Sequence, residues 1–218
     1  MSRASWSILI CLVIASPAAP AAAQQKEPLA PFVVDVHGVF ARHKAEPSVA
    51  ADLGVEAGNV PTRTFGLGGG AHVYVLRSTK LALGVGANFA FGRGTRTLEV
   101  EEEDSEEPVP GPTVRRHFMT LSPELSLNFG HRNGWSYISA GMFGRSKLYV
   151  DRADAPASGA PFRNTINYGG GARWFTNDHL AFSLDLRWYS IEAQPASGGL
   201  VAQPKTTVLM VSGGISLR

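Results

Sequence analysis

Residues 164–191 read NTINYGGGARWFTNDHLAFSLDLRWYSI, which is two alternating runs joined by a short polar turn. In the second run one parity holds only apolar side chains: Leu180, Phe182, Leu184, Leu186 and Trp188. The other parity holds small, charged or amphipathic ones: Ala181, Ser183, Asp185, Arg187 and Tyr189. Because successive side chains on a β-strand point to opposite faces, each run predicts a strand with one apolar face. Residues 176–179 (TNDH) are turn formers, so the segment predicts a β-hairpin.

The N-terminus has the pattern of a secretory signal peptide. Arg3 supplies a positive charge, residues 8–15 form a short apolar core, and residues 21–23 (AAA) form a small-residue cleavage site. We therefore expect a signal peptide over residues 1–23, a short periplasmic linker over 24–30 and one domain over 31–218. An ordinary N-terminal helix is the alternative, but a buried helix does not normally end in PAAPAAAQQ. The single cysteine, Cys11, lies in the signal segment, so we expect an exported domain without disulfides.

Composition narrows the class of protein without deciding it. About 195 residues remain after the signal, which is enough for one domain. The formal net charge of +2 argues against a nucleic-acid partner. The mean hydropathy of −0.01 fits a soluble β protein. It fits a membrane β-barrel equally well, because alternating strands have a weak average hydrophobicity.

Eight segments carry strand-like alternation: 31–41, 63–76, 81–98, 115–130, 135–150, 164–175, 180–191 and 205–217. Seven of them have a clear parity. The fifth is ambiguous, because either Tyr137 and Phe143 or Ile138 and Met142 could form its outward set.

The connections between these segments alternate in length. Three are short, at 77–80, 131–134 and 176–179, and the second of these includes an Asn-Gly hairpin signal. The other four are long, at 42–62, 99–114, 151–163 and 192–204. An up-and-down meander sends alternate connections to opposite ends, so all the long loops lie at one end. Outer-membrane barrels have this asymmetry, with short periplasmic turns and long external loops.

Alternation does not say whether the apolar face points inward, around a ligand, or outward, against lipid. The loop asymmetry favours outward, and so do two groups of residues. Aromatic residues near strand ends suit an interfacial girdle: Phe32, Phe40, Phe65, Phe89, Phe91, Phe129, Trp135, Tyr137, Tyr168, Trp174, Phe175, Phe182 and Trp188. Glycines and charges share the other parity, where small residues make room for long ones: Gly66, Gly68, Gly70, Gly84, Gly86, Glu124, Gly169, Gly171, Arg173, Asp185 and Arg187.

The runs LSPELSLNFG (121–130) and NYGGGARWFTNDHLAFSLDLRWY (167–189) resemble the small outer-membrane β-barrel proteins of Gram-negative bacteria, the OmpA/OmpX-like barrel-domain family. This resemblance implies an all-β, eight-stranded antiparallel up-and-down transmembrane barrel. It also implies outer-membrane lipid and lipopolysaccharide as surroundings, and insertion by the barrel-assembly machinery. One departure is the C-terminus, which reads ISLR where such chains usually end on an aromatic residue. Leu217 is the candidate substitute for that aromatic residue in recognition by the assembly machinery.

The nearest thing to a site is a charged set on the luminal parity: Glu124, Arg173, Asp185 and Arg187. Arg187 and Asp185 are neighbours on one strand face, and Arg173 lies on the strand paired with it. The set could act as a gate across a narrow channel. We favour a structural plug, because buried charges must pair and eight strands leave no open pore.

Other chemistry is weakly indicated. The six histidines show no metal-ligand spacing, and no cofactor motif is present. Lipid A deacylases of this size carry a His-x-Ser pair on one strand, and no His-x-Ser occurs here. The acidic run 99–107 (EVEEEDSEE) reads as a solvated loop tip more than as a cation or partner site. The glycine run 66–70 (GLGGG) precedes no helix pattern, so it does not indicate a phosphate loop.

We therefore expect a non-catalytic integral protein of the cell outer membrane, with no metal or cofactor, that acts through its external loops or as an element of the envelope. Two alternatives stay open. One is a soluble, secreted or periplasmic lipocalin-like barrel that binds an apolar ligand. The other is a lipid-modifying outer-membrane barrel enzyme.

Overall fold

The computed structural model describes residues 29–100, 109–131, 133–156, 160–195 and 202–218. The expected signal peptide and nearly all of the acidic run lie outside these residues. Eight strands are present: β1 (Phe32–Arg42), β2 (Arg63–Arg77), β3 (Leu81–Val100), β4 (Val109–His131), β5 (Gly134–Arg152), β6 (Arg163–Phe175), β7 (Leu180–Ile191) and β8 (Thr206–Leu217). A short helix α1 (Pro47–Asp52) and a 3-10 turn (Ala57–Asn59) lie between β1 and β2.

The strands form one closed barrel in chain order. Each strand pairs antiparallel with the next, and β8 closes the ring against β1 through pairs from Val34–Leu217 to Arg42–Leu209. The predicted eight-stranded antiparallel meander is confirmed. The three short turns lie at one end, called here the short-turn end, and the four longer connections lie at the other, the long-loop end.

The hairpin of β6 and β7 forms as its turn chemistry predicts. The side-chain oxygen of Asn177 accepts hydrogen bonds from the backbone N–H groups of His179 and Leu180, both at 2.8 Å. The N–H of Thr176 donates to the carbonyl of Leu180 at 2.9 Å, which closes the turn. An asparagine that replaces backbone hydrogen bonds in this way stabilises a tight turn.

The second long connection is shorter than expected, because β3 and β4 continue past the barrel as a two-stranded ribbon. Their pairing runs on through Arg96–Val114 to Val100–Val109, with a register shift after Thr97. Pairing of β4 with β5 stops at Val114, so Pro110 and Pro112, two of the three prolines of β4, lie where one edge has no partner strand among the described residues. Proline lacks an N–H donor and is tolerated at such an edge.

A β-bulge resolves the ambiguous parity of β5. Its register against β6 shifts between Gly141 and Gly144, so Met142 and Phe143 both face outward. Before the bulge Ile138 faces outward and Tyr137 inward, and after it the parity is reversed. The predicted outward set of Ile138 and Met142 is therefore correct, and the set of Tyr137 and Phe143 is half correct, because one extra residue exchanges the faces of a strand.

The apolar face of the barrel points outward. A band of exposed apolar side chains includes residues of all eight strands. Examples are Leu67 on β2 (54% exposed), Leu125 on β4 (59%) and Leu184 on β7 (51%). The opposite parity is buried and largely polar. This arrangement contradicts the lipocalin-like alternative, in which an apolar face would enclose a ligand.

Three aromatic residues expected in the outer girdle are exceptions. Trp135 and Tyr137 are 1% and 4% exposed and point into the barrel, since the parity of β5 places Ile138 outside. Phe175 is partly buried and packs against the same inner cluster as Trp135, with ring centroids 5.1 Å apart. The placement of these three in the outer girdle was therefore wrong.

The barrel interior is layered. Near the short-turn end lies an apolar base: Leu29, Val33, Tyr74, Ala82 and Trp135. Leu29 belongs to the segment expected to be a linker, yet it is 3% exposed and its N–H donates to the carbonyl of Ser78. Near the long-loop end lies an apolar cap: Val39, Ala41, Ala90, Phe118, Leu148, Tyr189, Ile191, Val208 and Met210. A charged layer lies between them.

Helix α1 begins with Pro47 at its first turn and is followed by Gly54, whose φ of +65° is the left-handed conformation that commonly terminates a helix. The helix buries Ala50, and the chain returns to β2 with Val60 buried. No helix among the described residues is both long and apolar enough to cross a bilayer.

Candidate functional site

The charged layer in the middle of the barrel is the candidate site. Its members come from six of the eight strands and are all at most 4% exposed: Asp35, His37, His72, Glu124, Tyr137, Arg173, Asp185 and Arg187. We call this set the luminal network. It contains the four residues that the sequence singled out, Glu124, Arg173, Asp185 and Arg187.

Arg187 is the centre of the luminal network. Its Nε and Nη2 atoms donate to the two oxygens of Asp185 at 3.2 and 3.1 Å on the same strand face. Its Nη1 atom reaches across the barrel to Glu124 on β4 and also donates to the Asn167 side chain at 2.9 Å. Nη2 donates to Ser139 Oγ at 2.9 Å. The guanidinium thus joins β4, β5, β6 and β7 through the lumen.

Arg173 does not join Asp185 directly. It forms a two-pronged ion pair with Asp35 on β1, with Nε to Oδ1 at 3.0 Å and Nη2 to Oδ2 at 2.7 Å. Ser216 also donates to this carboxylate. The two residues are 138 positions apart in the chain, and β6 and β1 are not neighbours in the barrel. A paired arginine and carboxylate of this geometry is among the stronger polar contacts in proteins.

Tyr137 connects the two arginine centres. Its hydroxyl donates to Asp185 Oδ2 at 2.8 Å, and its ring lies 4.1 Å from the guanidinium carbon of Arg173. On the far side of the lumen, His72 Nε2 lies 3.1 Å from Glu124 Oε1. The network is therefore continuous from His72 on β2 to Asp35 on β1, by way of the opposite wall.

Glycines provide the space that these side chains occupy. A Cβ atom at Gly171 would lie 2.8 Å from the hydroxyl of Tyr137, and one at Gly86 would lie 2.5 Å from Cδ2 of His72. Contacts between carbon and another heavy atom at such distances force something to move. The expectation that small residues on the luminal parity make room for long polar ones is confirmed at these two positions.

The long-loop end of the lumen is covered. His43 and Arg116 are 5% and 2% exposed, and the edge of the His43 ring contacts Phe118 of the apolar cap at 5.5 Å between centroids. Burial, together with the nearby Arg116 guanidinium, lowers the pKa of His43 to about 3. His43 Nε2 lies 2.9 Å from the hydroxyl of Thr64. A neutral imidazole is therefore part of the cover at neutral pH.

A small cavity of about 20 Å³ lies beside this cover. Its wall includes Glu46 just before α1 and two buried arginines, Arg116 and Arg163. A space of this size holds about one water molecule. It is far below the several hundred Å³ of ordinary ligand pockets, so it does not form a binding site for a small organic molecule.

The contacts within the luminal network are ion pairs and hydrogen bonds. Three carboxylates and two guanidinium groups contact one another below a layer of apolar side chains. In the described part of the chain no serine hydroxyl contacts a histidine, and the histidine–hydroxyl contact of His43 with Thr64 is buried. No group of three potential metal ligands is placed to bind an ion among the same residues.

Four participants were not among the predicted site residues: Asp35, His37, His72 and Tyr137. Asp35 and His37 lie on the parity of β1 opposite its apolar residues, which is a usable signal for the lumen. The partner of Asp35 could not be read from parity, because Arg173 reaches it from the opposite wall. The ambiguous register of β5 concealed Tyr137.

No protein-family model and no curated protein sequence matches the chain. Solved structures do match. Ail, the attachment invasion locus protein of Yersinia pestis, in complex with the heparin analogue sucrose octasulfate, is 14% identical with a TM-score of 0.46; the match covers 85% of this chain and 97% of that one. Neisserial surface protein A is 10% identical with a TM-score of 0.46 and coverages of 88% and 98%. The outer membrane protein OprG of Pseudomonas aeruginosa is 12% identical with a TM-score of 0.45 and coverages of 85% and 94%.

These three proteins are small outer-membrane β-barrels, the family that the sequence resembles. At 14% identity or less, the likeness concerns the fold alone. It transfers no ligand and no activity to this chain.

Proposed function

We propose that this chain is an integral outer-membrane protein without catalytic activity, which serves as a closed element of the envelope and interacts with its surroundings through its long-loop end. One observation carries the proposal: a closed barrel has a continuous apolar exterior and a charged interior sealed at both ends. Such an exterior is unfavourable in water and favourable in a bilayer, where a closed barrel leaves no backbone hydrogen bond unmade.

Membrane residence is tested by fractionation. The full-length chain, expressed in a Gram-negative host, should be exported with loss of residues 1–23 and recovered with outer membranes. Before boiling it should migrate on a denaturing gel as a folded form distinct from the boiled form. Insertion should depend on the barrel-assembly machinery. Recovery as a soluble periplasmic monomer would contradict the proposal.

A plugged lumen is supported by the near-complete burial of Arg173 and Arg187, each 1% exposed, between the apolar base and the apolar cap. Planar bilayers test this property. We expect no channel activity from the wild-type protein or from Arg187→Ala. A conductance that rises on this substitution would instead indicate a gate.

The absence of catalysis has its own test. Lipid A from cells with and without the protein should have the same mass spectrum. The supporting observation is that the carboxylates and guanidinium groups of the luminal network pair with one another and lie between the apolar base and the apolar cap. A change in acylation or headgroup mass that follows the protein would identify it as a lipid-modifying enzyme and overturn this part of the proposal.

A further inference from the structure

Two buried arginines line one cavity inside the barrel, near its long-loop end. Arg116 on β4 and Arg163 on β6 are 2% and 6% exposed, and both point inward from the strands on either side of β5. Arg116 is paired with Val150 of β5 and Arg163 with Ser146, so the inward side chain of Leu148 lies between their levels. All but Ser146 belong to the wall of the cavity of about 20 Å³, which we call the arginine cavity.

These two arginines have fewer partners than their burial requires. The Nε atom of Arg116 and the Nη2 atom of Arg163 are buried and donate no hydrogen bond to any residue that the structure describes. Arg163 donates from Nη1 to the backbone carbonyl of Glu192 at 3.2 Å, which supplies no negative charge. Neither arginine forms an ion pair with a carboxylate in the described part of the chain. A buried charge is costly unless it is hydrogen-bonded and paired with an opposite charge.

The local charge does not balance. Glu46, just before α1, is the described carboxylate whose charge acts on both Arg116 and Arg163. It also lines the arginine cavity, where one of its oxygens accepts a hydrogen bond from Thr206 at 3.4 Å. His43 next to Arg116 adds no charge at neutral pH, because its pKa is about 3. Two positive charges therefore share one carboxylate, and one negative charge is missing.

The size of the arginine cavity restricts what can supply that charge. Its volume of about 20 Å³ holds roughly one water molecule. A halide ion is only slightly larger than water, whereas phosphate, sulfate and organic acids are much larger. A water molecule could accept hydrogen bonds from both arginines but would leave the charge unbalanced. Glu46, Val49 and Gln203 in the wall are only partly buried, which leaves a path from solvent at the long-loop end.

We propose that the arginine cavity binds a single halide ion, in nature chloride, between the guanidinium groups of Arg116 and Arg163. Guanidinium N–H groups form strong, charge-assisted hydrogen bonds to an anion. The wall of this site comes from α1 and from strands β4, β5, β6 and β8. The bound ion therefore ties the connection that covers the lumen to the barrel wall.

The test uses chloride itself as the probe. The chlorine NMR signal of free chloride broadens when the ion exchanges with a site on a slowly tumbling protein. The full chain is folded in detergent micelles and titrated with sodium chloride, with sodium gluconate holding the ionic strength constant. Arg163→Gln removes one charge from the site, and Arg93→Gln is the matched control on the exposed outer surface. Each protein is first checked for the gel shift on boiling.

We expect the wild type and Arg93→Gln to broaden the chloride signal equally, and Arg163→Gln to bind chloride roughly tenfold or more weakly, because one charge-assisted hydrogen bond is lost. Glu46→Gln should bind chloride more tightly, since it removes the negative charge that competes with the ion. Bromide should displace chloride from the wild type, and sulfate, which is too large for the cavity, should not.

A second measurement on the wild type decides the matter if Arg163→Gln fails to fold. Above the dissociation constant, each tenfold increase in chloride should lower the equilibrium constant for urea unfolding by about tenfold at fixed ionic strength. Equal stability in chloride and gluconate would overturn the proposal and indicate that water fills the cavity.

Three results of the NMR titration would also overturn it. The first is equal broadening by the wild type and Arg163→Gln. The second is an equal loss of broadening in Arg163→Gln and Arg93→Gln, which would indicate non-specific attraction to positive charge. The third is weaker binding in Glu46→Gln, which would contradict the charge count on which the site depends.

Discussion

Replacing Arg187 by glutamine should be among the most costly single changes in the barrel. The substitution removes one charge and the guanidinium contacts to Asp185, Glu124, Asn167 and Ser139. Glu124 would keep only His72 and the hydroxyl of Ser139, which donates to it at 3.4 Å, and Asp185 would keep only the hydroxyl of Tyr137. Because these carboxylates are 3% and 2% exposed, water cannot replace the lost cation.

Removing one partner of a buried ion pair typically costs about 3–5 kcal/mol, and here two carboxylates lose the same partner. We therefore expect Arg187→Gln to lower the free energy of unfolding by about 4 kcal/mol, a large share of the roughly 5–15 kcal/mol of a typical domain. The matched control is Arg93→Gln, an exposed arginine on the outer face, which should change it by less than about 0.5 kcal/mol in phosphatidylcholine.

The assay is reversible urea unfolding from phosphatidylcholine vesicles at pH 8, followed by tryptophan fluorescence. A neutral triple variant, Glu124→Gln, Asp185→Asn and Arg187→Gln, separates charge from packing. Since a neutral hydrogen-bonded layer leaves no bare charge, the triple variant should lie within about 2 kcal/mol of wild type. A triple variant as unstable as Arg187→Gln, or a single variant as stable as the Arg93→Gln control, would refute the account of the luminal network.

Four further predictions concern other parts of the barrel. His43 has a folded pKa of about 3 against about 6.5 unfolded, so the unfolded chain binds more protons between these values and stability falls as the pH is lowered. Between pH 8 and pH 5 the free energy of unfolding of the wild type, measured with urea, should fall by about 2 kcal/mol more than that of His43→Gln. An equal change in the two proteins would contradict this. Gly171→Ala would place a Cβ atom 2.2 Å from the backbone carbonyl of Leu184 and 2.8 Å from the hydroxyl of Tyr137, so it should lower stability by about 1–3 kcal/mol in the same assay. An unchanged midpoint of unfolding would show that the barrel wall accommodates the methyl group without strain. Asn177→Ala should lower the free energy of unfolding by about 1 kcal/mol, because two turn hydrogen bonds are lost, and should slow refolding only slightly. Asn177→Asp keeps a side-chain oxygen at this position and should retain most of the stability. Leu184→Arg should cost about 2–4 kcal/mol in vesicles, since the residue lies in the middle of the apolar band, and a neutral effect would mean that this face does not contact lipid.

The outward basic residues near the long-loop end show how much of a residue's position along a strand can be predicted from the sequence. Arg42, Arg63 and Arg93 each come directly beyond the last outward apolar residue of β1, β2 and β3, and the parity of those strands predicts this. Parity does not show that Arg42 is directly opposite Arg63. The register of β2 against β1 depends on the conformation of the long connection between them, which parity does not describe. The bulge in β5 also moves Arg145 outward, which no simple alternation predicts.

The luminal network likewise contains some contacts that the sequence predicts and others that it does not. Asp185 and Arg187 had to be neighbours, because residues two apart on a strand share a face, and Gly171 and Arg173 follow on the paired strand for the same reason. The pairing of Arg173 with Asp35, and of Arg187 with Glu124, spans the lumen between strands that are not adjacent. Such contacts exist only after the barrel closes and brings opposite walls within a side-chain length of each other.

The amino-acid sequence by itself determined the number of strands, their antiparallel order, the two ends of unequal loop length, and which parity is apolar. These properties are local, since they follow from the two-residue period of a strand and from the turn chemistry between strands. Only the tertiary structure decided the bulge in β5, the inward direction of Trp135 and Tyr137, the partners within the luminal network and the pairing of Arg42 with Arg63 across β1 and β2. Those depend on closure and register, which bring together residues that are far apart in the chain.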